Sequence, residues 1–177
     1  MLPAVAALPA QAAAGTRTTA DGHQLKSATG HCLVPRGRDV IVLPCKEGYW
    51  LWREVVVPSK DEHTIDARLL VYGDGKTVDP VGGGTWCLDT DQISKTYMSK
   101  CDRNRADKGQ LWYTVPDGNV NGYYHWNVFT MAGNKCRQLA HYGNRTGMAD
   151  CKPIWEKNHS PVNEQWRFGQ QKGDYKW

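Results

Sequence analysis

The stretch CLDTDQISKTYMSKCDRNRADKGQLW, from Cys87 to Trp112, contains a pattern that the chain uses three times. It begins with Cys-Leu-Asp, reaches a second cysteine at Cys101 and ends on Gln110-Leu111-Trp112. We call this segment copy two. Copies one and three have their two cysteines and their closing tryptophan at Cys32, Cys45 and Trp52, and at Cys136, Cys151 and Trp166.

The spacing of the cysteines indicates an internal repeat. Within the three copies the two cysteines lie 13, 14 and 15 positions apart. The first cysteines recur with a period of about 50 residues, which is in the range typical of repeated architectures. A glycine-rich stretch precedes each first cysteine, and runs of strand-forming residues lie between the cysteines. The sequence therefore predicts a threefold all-β unit.

The residues of copy two also resemble a known family. Gly84 to Asp89 read GTWCLD, Lys100-Cys101 read KC, and Gln110 to Trp112 read QLW. This pattern resembles one subdomain of the ricin-type (ricin B-chain-like) lectins, and the resemblance extends over roughly residues 24–168. It implies an all-β fold, a β-trefoil of three pseudo-repeats, and we expect that domain to occupy residues 24–177.

The cysteine pairing is predicted by the repeat. Six cysteines allow 15 pairings by counting alone. If each copy closes on itself, the disulfides are Cys32–Cys45, Cys87–Cys101 and Cys136–Cys151, and each could contribute about 3 kcal/mol in the chain-entropy model. Zinc binding is the alternative, but the sequence has no C-x-x-C spacing that favours it.

The N-terminus predicts export. Residues 1–14, MLPAVAALPAQAAA, are apolar and end in A-x-A cleavage motifs, which is typical of the end of a secretory signal peptide. An apolar helix of the mature protein is the alternative.

Residues 15–23 are polar and predict a flexible arm, either a solvated tail or a strand that adds to a partner's sheet. No segment of the sequence is long and apolar enough to predict a membrane span.

Composition bounds the kind of partner. The chain has 177 residues, 22 basic and 18 acidic, and its formal charge of +4 is spread without a basic stripe, which disfavours nucleic acid. Eight Trp and eight Tyr against two Phe favour binding surfaces, because these rings have an apolar body and a polar tip. No metal, cofactor or catalytic motif is present, since H-E-x-x-H and G-x-S-x-G are both missing. We therefore expect no enzyme, metal or cofactor.

The resemblance implies a carbohydrate site in copy two. Asp89 occupies the position of the family's aspartate, which accepts hydrogen bonds from sugar hydroxyls. Tyr97 is a candidate for the stacking aromatic, although the family's own position holds Ser99. Gln110 matches the glutamine of Gln-x-Trp, and Gly109 stands where the family has Asn. The alternative is that Asp89 caps a turn and Tyr97 packs in the structure.

The other copies have lost most of these polar positions. Val34 replaces the aspartate in copy one, so we expect a structural repeat there. Copy three has Gln138 in that position, Ala149 in the aromatic position and Asn163 as its one match.

Two functions of different class follow. The first is a secreted lectin-like module that binds a glycan or glycoprotein weakly or through one repeat. The second is a protein-binding adaptor or delivery subunit of a secreted multi-subunit toxin complex, with partners bound through the N-terminal arm and exposed tryptophans such as Trp155. Trp50 is predicted to be a core residue, with an exposed platform as the alternative.

Overall fold

The structure is a computed structural model, and it describes residues 23–46, 52–57, 66–73, 86–102, 106–120, 123–132, 135–151 and 161–169. The predicted signal peptide at 1–14 lies outside the described residues, as does the predicted arm except for His23. Trp50 and Trp155 also lie outside them.

Twelve β-strands make up the described part of the chain, which contains no α-helix. The all-β prediction is therefore confirmed. Two 3-10 helices, Lys108–Gln110 and Val162–Glu164, precede the closing tryptophan of copies two and three. The strands are β1 (Gln24–Ser27), β2 (His31–Arg36), β3 (Asp39–Pro44), β4 (Trp52–Val57), β5 (Ala67–Tyr72), β6 (Trp86–Thr90), β7 (Thr96–Lys100), β8 (Tyr113–Val120), β9 (Tyr123–Ala132), β10 (Lys135–Tyr142), β11 (Arg145–Asp150) and β12 (Trp166–Gly169).

The strands pair antiparallel in a pattern that recurs along the chain. Strands β2–β3, β6–β7 and β10–β11 form hairpins, and each hairpin carries the cysteines of one copy at its open end. The strand that ends one copy pairs with the strand that begins another, in β4–β5, β8–β9 and β12–β1. Seven strands close into a ring in the order β11-β10-β9-β12-β1-β2-β3, because β3 also pairs with β11. Antiparallel neighbours suit this arrangement because tight turns can join them.

Three disulfides, one within each copy, join the cysteines as predicted. Their Cα–Cα distances are 4.9 Å in copy one, 5.0 Å in copy two and 5.4 Å in copy three, which are usual distances for this bond. Each bond ties the two ends of a hairpin together. No cysteine is left unpaired.

The hairpins contact one another in a cycle through backbone hydrogen bonds. In each contact an N–H on the second strand of one hairpin donates to a carbonyl in the turn of another. The three bonds are Val42 N to Asn144 O (3.0 Å), Met148 N to Ser94 O (3.3 Å) and Met98 N to Arg38 O (2.8 Å). Every hairpin therefore donates to one neighbour and accepts from the other.

Three tryptophans anchor the core in the same way. Trp52, Trp112 and Trp166 have no exposed surface, and they pack with leucine and valine side chains in one apolar cluster. Each indole Nε1–H donates to the carbonyl of a leucine that lies one to three residues after the first cysteine of its copy. The acceptors are Leu33 O (2.8 Å), Leu88 O (2.9 Å) and Leu139 O (2.8 Å). A buried indole N–H needs such an acceptor. The closing tryptophan of each copy therefore holds that copy's hairpin to the core.

Candidate functional site

The β6–β7 hairpin brings two of the predicted site residues together. Asp89 and Tyr97 are register partners in the antiparallel pair, so their side chains leave the same face of the hairpin. Gln110 reaches this place from the 3-10 helix, with its Nε2 3.4 Å from Asp89 Oδ2. Three residues separated by up to 21 positions in the sequence therefore converge at one point.

The carboxylate of Asp89 is buried and hydrogen-bonded within the protein. The residue is only 2% exposed. Its Oδ2 accepts a hydrogen bond from the Ser99 hydroxyl at 2.5 Å, and its Oδ1 accepts one from the Thr90 backbone N–H at 2.6 Å. Burial raises the pKa of Asp89, and the hydrogen bonds from Ser99 and Thr90 act against that rise. Both carboxylate oxygens are thus occupied by protein donors.

Gln110 braces the loop that follows β7. It is 1% exposed, and its Oε1 accepts a hydrogen bond from the Asp102 N–H at 2.7 Å. Its Nε2 donates to Ser99 Oγ at 2.6 Å and to the Lys100 carbonyl at 2.7 Å. These contacts fix the chain on both sides of Cys101, so the amide has a structural role whether or not a ligand binds.

Gly109 covers Asp89 from the side of the 3-10 helix. Its backbone lies so close that a Cβ atom there would collide with the Thr90 carbonyl and with Asp89 Oδ1. The Asp107 side chain accepts a hydrogen bond from the Gly109 N–H at 3.0 Å and holds this turn in place. The absence of a side chain at residue 109 is therefore what allows the helix to close over the carboxylate.

Tyr97 is the most accessible of the three predicted residues. It is half-buried, and burial together with the nearby negative charge of Asp89 raises the pKa of its phenol. On its other side the strand pairs with β3, where Asp39 is its register partner. The ring stands at the edge where the hairpins of copies one and two meet.

Asp91, the second carboxylate of the D-x-D sequence, caps the β6–β7 turn. Its Oδ1 accepts backbone hydrogen bonds from Ile93 (2.9 Å), Ser94 (2.8 Å) and Lys95 (2.8 Å). Burial acts to raise its pKa, but the three N–H groups together lower it. Asp91 therefore stabilises a turn, as short polar side chains often do.

In copies one and three, the side chains at the equivalent positions contact other parts of the protein. Val34 pairs with Ile41 in copy one and offers no polar group. In copy three Gln138 is 1% exposed, faces Ala149 across the hairpin and donates to the Glu164 carboxylate. Asn163, the one match to the family there, donates from Nδ2 to the His141 carbonyl at 3.0 Å.

The sequence prediction missed the part that Ser99 plays. It stands two positions before Cys101, where the resembled family has an aromatic ring, and its hydroxyl links Asp89 to Gln110. Since β-strand residues two apart share a face, the Ser99 and Tyr97 side chains were both candidates to meet Asp89. That periodicity was the available signal.

Among the described residues no group of three or more His, Cys, Asp and Glu is placed to hold a metal ion. That part of the chain also contains no helix with the length and apolar character needed to cross a membrane.

Comparison with known proteins gives a likeness of fold. No model of a protein family matches the chain, and no curated protein matches it. Among solved structures, the botulinum neurotoxin serotype C1 binding domain is similar, with a TM-score of 0.55 and 8% sequence identity. The likeness covers 86% of this chain and 43% of that one, so this chain spans less than half the length of the structure it matches. The chain therefore has the all-β fold of part of a toxin binding domain.

Proposed function

We propose that this protein is a secreted, non-catalytic binding module with a ricin-like β-trefoil fold, which binds carbohydrate weakly through copy two. The convergence of Asp89, Tyr97 and Gln110 at one point of the β6–β7 hairpin is the observation that carries the proposal. A carboxylate, an aromatic ring and an amide are the groups that a sugar site combines, because they match hydroxyls and an apolar ring face.

The trefoil assignment is supported by the recurrence of the same contacts in each copy. Each copy contributes four strands, one disulfide-linked hairpin and one buried tryptophan that donates to a leucine carbonyl. The cycle of backbone hydrogen bonds between the three hairpins supports it as well.

Weak binding follows from the burial of Asp89. A hydroxyl that approached Oδ2 would compete with the Ser99 hydroxyl, which already donates to it at 2.5 Å. Replacing one hydrogen bond by another yields little net free energy. Tyr97, which is partly exposed, would supply most of the contact area.

Export is supported by the disulfides and by the predicted signal peptide. Three disulfides persist in oxidising compartments such as the extracellular space or a bacterial periplasm. A non-catalytic role is part of the proposal because Asp89 and Asp91, the only closely spaced carboxylates of the hairpin, are both held by donors of their own strands and turn.

A glycan array tests the carbohydrate function. We expect the wild-type chain to bind neutral glycans on the array, Tyr97→Ala to lose those hits, and Tyr142→Ala to keep them. Tyr142→Ala removes a tyrosine that is 54% exposed on another hairpin. Asp89→Asn should weaken the same hits while keeping the shape of the site. An array without hits for the correctly folded wild type would contradict the proposal.

The adaptor function is a second candidate, favoured by two exposed apolar side chains at neighbouring hairpin turns. Ile93 is 67% exposed and Tyr142 is 54% exposed. Gly147 lies between the two turns, since a Cβ there would be 2.8 Å from Ser94 O and 3.4 Å from the Tyr142 ring. Neighbouring exposed apolar groups are a common feature of protein interfaces.

Affinity purification from the producing cell tests this candidate. We expect a stoichiometric protein partner for the wild-type chain and its loss in the Ile93→Asp/Tyr142→Asp double variant. Val56→Asp is the matched control, because Val56 is 53% exposed on a different strand. Recovery of the monomer alone would exclude the adaptor function.

A further inference from the structure

An open pocket lies where the β2–β3 turn of copy one meets strands β5, β6 and β7 of copy two. Its volume is about 370 Å³ with its open mouth included. Its lining is largely apolar and aromatic, and consists of Pro35, Gly37, Tyr72, Trp86 and Met98. Apolar and aromatic side chains are the usual lining of a small-ligand site.

The pocket is distinct from the site around Asp89. Met98 follows Tyr97 directly on β7, and consecutive strand residues point to opposite faces. Trp86 and Met98 therefore lie on one face of the hairpin, whereas Asp89, Tyr97 and Ser99 lie on the other. The two places can bind ligands independently.

Trp86, which lines this pocket, carries an unused hydrogen-bond donor. The residue is 7% exposed, and its buried indole Nε1–H has no acceptor among the described residues. The closing tryptophans Trp52, Trp112 and Trp166 each donate to a leucine carbonyl. An unpaired buried donor costs free energy, so a ligand acceptor that reached this N–H would gain from the pairing.

Arg38 supplies a positive charge at the same place. Its carbonyl accepts the Met98 N–H at 2.8 Å, which fixes the turn against β7. Its guanidinium lies 5.9 Å from the centre of the Trp86 ring, a cation–π distance, and the residue is exposed. Because arginine matches the geometry of a carboxylate, the charge favours an anionic ligand.

We propose that this pocket binds a sugar that carries both an acetamido group and a carboxylate. The acetamido methyl contacts Met98 and Pro35, its carbonyl accepts the Trp86 indole N–H after a small shift of the ring, and the carboxylate pairs with Arg38. Tyr72 contacts the apolar face of the sugar ring. The inference rests on the proposed carbohydrate function and adds to it a second site and a ligand class.

NMR titration of the full chain with ¹⁵N-labelled tryptophan tests the pocket. N-acetylneuraminic acid carries both groups, N-acetylglucosamine carries only the acetamido group, and glucuronic acid carries only the carboxylate. We expect the first sugar to shift the Trp86 indole resonance, and the other two to bind about tenfold more weakly, since each lacks one polar contact. Trp86→Phe assigns that resonance.

Variants separate this site from the Asp89 site. Arg38→Gln should weaken N-acetylneuraminic acid about tenfold, while Arg145→Gln, which removes an exposed arginine of copy three, should have no effect. Tyr97→Ala should leave this binding intact. If glycans bind the wild type on the array but N-acetylneuraminic acid leaves the Trp86 resonance unmoved, the pocket proposal is wrong and the carbohydrate function stands. If no glycan binds at all, both fail.

Discussion

The Ser99 hydroxyl donates a hydrogen bond to Asp89 Oδ2 across the β6–β7 hairpin, at a donor–acceptor distance of 2.5 Å. The same hydroxyl accepts a hydrogen bond from Gln110 Nε2 at 2.6 Å. A single small side chain thus connects the carboxylate and the amide that the sequence assigns to a sugar site. Ser99 is therefore one of the residues that decide how open that site is.

Removing the Ser99 hydroxyl should destabilise the hairpin. Ser99→Ala leaves one oxygen of Asp89 and one N–H of Gln110 without their shortest partner, so we expect a loss of about 1–3 kcal/mol in the free energy of unfolding. The pKa of Asp89 should rise further, because a bond to its ionised form is lost. Urea unfolding and NMR titration measure these effects. Ser94→Ala, in the exposed turn, is the control, and equal stability of both variants would contradict the prediction.

Gly109 should tolerate no side chain. In Gly109→Ala the added Cβ would collide with the Thr90 carbonyl and Asp89 Oδ1, so the 3-10 helix must shift. We expect a loss of about 1–3 kcal/mol, as for other overpacked sites. The exposed neighbour Lys108→Ala should change the midpoint of thermal unfolding little. A Gly109→Ala chain as stable as the wild type would show that the helix is not closed over Asp89.

The three closing tryptophans should be equivalent in stability measurements. Trp52→Phe, Trp112→Phe and Trp166→Phe each remove the indole N–H that a leucine carbonyl accepts, and each leaves a small void in the core. We expect losses of similar size, about 1–3 kcal/mol apiece from the hydrogen bond alone. Trp86→Phe should lower the free energy of unfolding less, since the Trp86 indole N–H makes no hydrogen bond with the described residues that could be lost. A large difference among the first three would contradict the proposed threefold arrangement of the core.

The stability of the protein should fall as pH rises through the titration of Glu54. Burial raises the pKa of Glu54 from 4.5 to about 7, even though its ion pair with Arg68, at 2.9 Å, acts to lower it. At a pH between these two pKa values, Glu54 keeps its proton in the folded state and has released it in the unfolded state. Raising the pH through this range therefore favours unfolding. Glu54→Gln should flatten this part of the profile of unfolding free energy against pH. An unchanged slope would refute the assignment.

His141 should make the protein less stable at acidic pH. Burial lowers the pKa of His141, which is 6% exposed and lies 3.0 Å from the Thr29 hydroxyl through Nε2. Below the ordinary value of 6.5 the unfolded chain takes up this proton more readily than the folded one, so stability falls until the folded pKa is passed. Urea unfolding at several pH values measures the stability, and in His141→Gln its decline at acidic pH should disappear. The same decline in the variant would assign it to other groups.

The all-β fold and the disulfides could be predicted from the sequence because they depend on residues close together in the chain. Cysteines 13 to 15 positions apart can close a hairpin locally, and the aromatic and β-branched runs between them favour strands. The all-β fold and all three bonds followed from this pattern, and the structure agrees with both.

Only the tertiary structure decided whether the candidate site is open to a ligand. Whether Asp89 faces solvent depends on the register of β7, which places Ser99 beside it, and on the 3-10 helix, which lays Gly109 over it. The pocket at Trp86 depends on a turn of copy one that lies some 50 positions away in the sequence. Hydrogen bonding and burial of this kind arise from packing between distant segments, so sequence alone determined which groups the chain carries, while packing decided which of them remain open to a ligand.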